Sequence, residues 1–122
     1  MTTTVQILLL ASVPAMLAAF AACGHPCDAS ARASVTLEIV DAATGAPFGG
    51  ARVTYTLDDD PTVITVDDPN DNFFFLAYET VGIFHVTVEG ENYETQELEY
   101  EVDHGECHVN AVHDVVEMVP TS

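Results

Sequence analysis

The sequence predicts an all-β domain, a two-sheet sandwich of about seven strands. Three observations carry this. Apolar and polar residues alternate with a period of two through most of residues 34–119. Clusters of Asp, Asn, Gly and Pro interrupt the alternation at regular spacing. After residue 22 no stretch has the 3.6-residue periodicity of an amphipathic helix.

The strands are taken in order. Val35, Leu37 and Ile39 alternate with Thr36 and Glu38. Asp41-Ala42-Ala43-Thr44-Gly45-Ala46-Pro47 is a turn, with Gly45 able to take a positive φ and Pro47 setting the exit. Val53, Tyr55 and Leu57 alternate with Arg52, Thr54 and Thr56. Asp58, Asp59, Asp60 and Pro61 end that strand, and residues 62–66 form a short β-branched one. The next breaker contains Asp67, Asp68, Pro69, Asn70, Asp71 and Asn72. Residues 73–79 follow as an aromatic strand. Phe84, Val86 and Val88 alternate with Ile83, His85, Thr87 and Glu89, up to a turn at Gly90-Glu91-Asn92. Leu98, Tyr100 and Val102 alternate with Glu97, Glu99 and Glu101, which must face water because buried unpaired carboxylates are too costly. After a turn at His104-Gly105, residues 108–119 are β-rich, but Val115 and Val116 adjoin and the periodicity does not assign their facing.

Charge excludes some functions. The 122 residues include 20 Asp and Glu against 2 Lys and Arg, a formal net charge of −18. Nucleic-acid binding needs clustered cations, and so does docking on an anionic membrane surface. With 48% hydrophobic residues the chain is nonetheless that of a folded protein. Near-absence of Lys and Arg also suits a high-salt habitat, where screening weakens self-repulsion.

Residues 5–22 (VQILLLASVPAMLAAFAA) have the layout of a signal-peptide helix: a short apolar core, then small residues. Pro14 interrupts the core, which is short for a spanning helix. Phe20-Ala21-Ala22-Cys23-Gly24 resembles the lipobox of bacterial lipoproteins, with Phe20 where that family usually has Leu. The resemblance implies cleavage after residue 22 and a lipid on Cys23. It predicts export to a bacterial cell envelope with anchoring in the outer membrane; the alternative is secretion or a periplasmic location. All 20 acidic residues lie in the 100 residues that cleavage leaves.

Three cysteines are an awkward number for an exported chain. If Cys23 takes lipid, Cys27 and Cys107 remain, and an oxidising compartment favours their pairing. The alternative for Cys107 is a metal ligand within His104-Gly105-Glu106-Cys107-His108, although that spacing fits no standard zinc signature.

Two further segments resemble a known family. Residues 35–53 run from Val35 through Asp41, Thr44-Gly45-Ala46-Pro47 and Gly50-Ala51-Arg52-Val53. They look like the opening of carboxypeptidase regulatory-like domains: a strand ending in Asp, then T-G-x-P, then G-A-x-V. Gly82-Ile83-Phe84-His85-Val86-Thr87-Val88, followed by Gly90-Glu91-Asn92-Tyr93, resembles that family's later signature. Cys107-His108-Val109 is similar to a C-H-V seen in small bacterial lipoproteins with this domain. The resemblance implies a seven-stranded antiparallel Greek-key sandwich of prealbumin (transthyretin) type and an accessory module without catalytic residues. Hydroxyisourate hydrolases share that fold, but they need a His near the end of the first strand and a C-terminal Tyr-Arg-Gly-Ser. This chain has Glu38, Ile39 and Val40 before Asp41, and ends in Glu117-Met118-Val119-Pro120-Thr121-Ser122.

The expected organisation is therefore a signal peptide over 1–22, a tether over 23–33, the sandwich over 34–119 and a tail over 120–122. The expected function is a non-catalytic, envelope-anchored module that needs no cofactor. Its partners would be the membrane, through the lipid on Cys23, and a protein or glycan. The alternative is a divalent-metal protein. Its candidate zinc ligands are His104, His108 and His113, and its candidate calcium ligands are Asp67, Asp68 and Asp71 in an oxygen-rich loop. The EF-hand spacing and its Gly are absent from that loop.

Overall fold

The structure is a computed structural model that describes residues 27–67 and 72–121. Cys23, the signal segment, Asp68 and Asp71 lie outside the described residues. The described residues contain seven strands and no helix. The strands are β1 (Ala33–Asp41), β2 (Arg52–Leu57), β3 (Ile64–Thr65), β4 (Phe73–Tyr78), β5 (Gly82–Glu89), β6 (Gln96–Val102) and β7 (Val112–Met118). They form a three-stranded sheet in the order β4-β1-β7 and a four-stranded sheet in the order β3-β2-β5-β6.

The alternation read from the sequence decides which side chains meet between the sheets. Val35, Leu37 and Ile39 of β1 are fully buried with Phe74 and Leu76 of β4. From the other sheet come Val53 and Tyr55, Phe84, Val86 and Val88, and Val102. Glu97, Glu99 and Glu101 face solvent on β6, as the cost of burying them requires.

Not every pair is antiparallel. β1 runs antiparallel to β4 but parallel to β7, with Val35 beside Val112 and Ile39 beside Val116. This corrects the expectation of a purely antiparallel sandwich. Residues 103–111 leave the four-stranded sheet and cross to the three-stranded one. They are fastened there near the start of β1, where Val109 N–H donates to Glu79 and Glu79 N–H donates to Arg32. A strand starting beside the first residues of β1 can only run alongside it in the same direction.

Two strands are shorter than their pattern. β3 keeps only Ile64 and Thr65, because the Asp60 carboxylate accepts from Thr62 N–H and holds it in the preceding turn. β7 begins at Val112 because residues 103–110 close their own small loop, with Asn110 N–H donating to Asp103 O and Gly105 N–H to His108 O. The facing of β7 is set by Val116 and Met118, which are buried, and this turns Asp114 inward and leaves Val115 49% exposed.

Candidate functional site

Two places gather chemically distinctive side chains. The first is a clasp at the end of the sandwich where β1 begins. Cys27 and Cys107 are joined by a disulfide, with their Cα atoms 5.4 Å apart. The residues that follow each cysteine also meet. His108 Nδ1 hydrogen-bonds the Glu79 carboxylate, and Nε2 lies 3.2 Å from Asp28 Oδ1 without making a hydrogen bond. Glu79 also accepts from the backbone N–H groups of Arg32 (2.9 Å) and Val109 (3.1 Å). Arg32 Nη2 reaches Asp28 Oδ2 at 3.2 Å.

These contacts favour the ionised form of the two acids. The Ser30 hydroxyl and N–H, helped by Arg32 and His108, hold the Asp28 carboxyl down at about 2. Glu79 is held below the usual carboxylate range, first by the Arg32 N–H and then by His108 and Val109. The clasp thus joins the tether, the turn between β4 and β5, and the loop before β7. Only chain folding brings them together, and sequence reading missed Asp28, Arg32 and Glu79. Glu79 has a positive φ of 49° in a turn with no Gly or Asn at that position, so no local signal marks it.

Gly105 makes the clasp loop possible. A Cβ at this position would sit 2.3 Å from the His108 carbonyl oxygen, so only glycine lets the loop close on itself.

Among the described residues the zinc candidates His104, His108 and His113 occupy different settings. Both ring nitrogens of His108 face carboxylates. His104 forms a backbone bridge with Val109, and His113 points outward on β7 beside Thr36 of β1. Among the described residues no three His, Cys, Asp or Glu side chains group to hold a metal ion.

A second polar tie closes the turn after β1. The Tyr93 hydroxyl donates to Asp41 Oδ2 at 2.6 Å, while Asp41 Oδ1 accepts from Ala43 and Thr44 N–H. Gly45 takes the expected positive φ, 76°. Phe48 packs edge-on against Tyr93 with ring centroids 4.5 Å apart. The two motif segments singled out in the sequence therefore touch through Asp41 and Tyr93, in a structural role.

The second place is a groove of about 280 Å³ between the open edges of β3 and β4. Tyr55, Ile64 and Val66 line one side, Phe75, Ala77 and Tyr78 the other, and Asp67 lies at its rim. In its lining Ile64 is 42% and Tyr78 55% exposed. Asp67 is the one calcium-candidate residue among those described, and here it borders a groove of mixed polar and apolar lining.

No protein-family model matches the chain, and no curated protein matches it. The functional reading therefore rests on the residues and their geometry.

Proposed function

We propose that this protein is a non-catalytic, lipid-anchored β-sandwich of a bacterial envelope, acting as a binding or structural accessory module. In this reading residues 34–119 form a Greek-key, prealbumin-like domain of the carboxypeptidase regulatory-like kind. The order of strands, with β4 and β7 flanking β1 and with β2 beside β5, is in keeping with it.

The observation that carries the anchored reading is the clasp. The disulfide lies four residues after Cys23, the proposed site of lipid, and fastens the chain to the domain at that point. A domain stapled this close to its anchor stands against the membrane surface with little free tether. A disulfide also suits an exported chain, since cytosolic thiols are kept reduced. The net charge of −18 favours neutral or cationic partners.

Intact mass of the protein extracted from membranes tests the anchor. The expected N-terminus is Cys23 carrying a diacylglyceryl thioether. A mature chain that begins elsewhere, or carries no lipid, overturns it.

A further inference from the structure

The four edges of the two sheets are not protected alike. An open strand edge presents unpaired N–H and C=O groups and is a template for another strand, so proteins shorten it or charge it. β6 carries Glu97, Glu99 and Glu101 on its outer face. β3 has only two residues. β7 carries His113 and Glu117 outward and Asp114 inward. β4 reads Phe-Phe-Phe-Leu-Ala-Tyr with no charge and no proline, runs regularly from Phe73 to Leu76 before Ala77 takes a positive φ of 58°, and among the described residues pairs with β1 alone.

The geometry of β4 shows what the edge offers. Ile39 N–H donates to Asn72 O, which marks that pair as hydrogen-bonded. By the alternation of an antiparallel ladder, Phe74 and Leu76 then bond to β1, while Phe73 and Phe75 turn their N–H and C=O groups to the open side. Beside that open side runs the groove, of mixed lining, with the apolar side chains of Tyr55, Ile64 and Val66 and the polar Thr65 on its far wall. A strand laid along β4 would find backbone partners at Phe73 and Phe75 and a pocket for alternate side chains. These are the two components of recognition by strand addition.

Charge selects the occupant. Among the described residues the carboxylates bordering the strand are Glu38 opposite Phe73 and Asp67 at the groove rim, with Glu79 after Tyr78 already held in the clasp. Arg32 adjoins Glu79 at the end of the strand, but its guanidinium is held by Asp28, and Arg52 sits opposite Glu89 in the other sheet. A second copy of the chain would bring like charges together, whereas a cationic segment is drawn in. We propose that the open edge of β4 takes up an extended cationic polypeptide segment by strand addition, with its apolar side chains entering the groove between β3 and β4. This deepens the binding-module reading by naming the partner's chemistry, and it does not depend on the lipid.

The test uses the purified full chain in mild detergent and a fluorescein-labelled peptide alternating valine with lysine. Binding is read whatever the state of Cys23, so failure of the anchor reading and failure of this one are separable. The lysine peptide is expected to bind, and its valine–glutamate counterpart to bind at least about tenfold more weakly. Phe75→Pro removes an N–H that faces the open edge and none that bonds β1, a placement edge strands tolerate. It is expected to weaken binding about tenfold or more. Replacing Glu97, Glu99 and Glu101 together with Gln, on the far edge of the other sheet, is expected to change it by no more than about threefold. Hydrogen exchange on the unaltered chain does not rely on the proline variant folding, and the Phe73 and Phe75 amides should slow when peptide is bound. No binding, equal binding of the two peptides, unchanged exchange at both amides, or a loss on the glutamine variant as large as on Phe75→Pro overturns the proposal. So does self-association through β4, seen as a dimer in sedimentation with those amides protected in the absence of peptide.

Discussion

The Tyr100 hydroxyl donates to Asp114 Oδ2 at 2.6 Å, linking β6 of one sheet to β7 of the other. Burial and the adjacent carboxylate push the Tyr100 phenol up, so it remains a donor across the physiological range. The bond explains how a carboxylate can sit on the inward face of β7. Tyr100→Phe removes the donor and leaves Asp114 facing inward without it. The expected cost is about 1–2 kcal/mol. Urea unfolding of the two proteins checks this, and an unchanged midpoint would show that water replaces the phenol.

The disulfide spans 80 residues of sequence, almost the whole described domain. Loop closure of that length restrains the unfolded chain, and on the entropic model contributes about 4–5 kcal/mol. The double variant Cys27→Ser with Cys107→Ser is expected to lose about 2–5 kcal/mol. Denaturant titration measures the loss. Alkylation under non-reducing denaturing conditions should leave both thiols unlabelled in the parent, and two labelled thiols would exclude the bond.

Acid should loosen the clasp and the turn after β1. Asp28, Asp41 and Glu79 are all held below their unfolded values by hydrogen bonds in the folded protein. A group lowered in this way stabilises the fold above its unfolded pKa and loses that contribution as pH falls through its folded one. Stability is therefore expected to be level above about pH 5 and to fall from about pH 4 toward pH 2. Thermal melts across that range, compared with Glu79→Gln, provide the measurement. In the variant the acid slope should be shallower, and an identical slope would remove Glu79 from the account.

Gly105→Ala places a methyl group on the His108 carbonyl oxygen, an approach of 2.3 Å that backbone must yield to relieve. Opening the loop disturbs both Cys107 and His108. The expected loss is about 1–3 kcal/mol, within the range of strain at a crowded site. Melting temperature gives the readout, and a larger loss in the oxidised than in the reduced protein would place the strain on the disulfide loop.

Much of the sandwich is legible along the chain because burial in a strand repeats every second residue. Val35, Leu37 and Ile39, or Phe84, Val86 and Val88, announce their inward face without any knowledge of their partners. The last strand is not legible in the same way. Val115 and Val116 are equally apolar neighbours, and burial of Val116 with Met118 turns Asp114 inward, where Tyr100 receives it. The candidate sites divide similarly. Cys27 and Cys107 could be paired by counting, but Glu79 carries no local mark, and its role exists only where three distant segments converge.

By itself, then, the sequence determined the all-β class, the succession of strands and turns along the chain, the solvated glutamates of β6 and the turn at Gly45. Each of these depends on neighbours within a few residues and on the cost of burying charge. Tertiary structure alone decided the parallel pairing of β7 with β1, the inward Asp114, the carboxylates on both sides of His108 and the uncharged edge of β4 beside its groove. These depend on which strands lie side by side and which face a second sheet. A sequence periodicity says which face of a strand is dry, but not what stands opposite it.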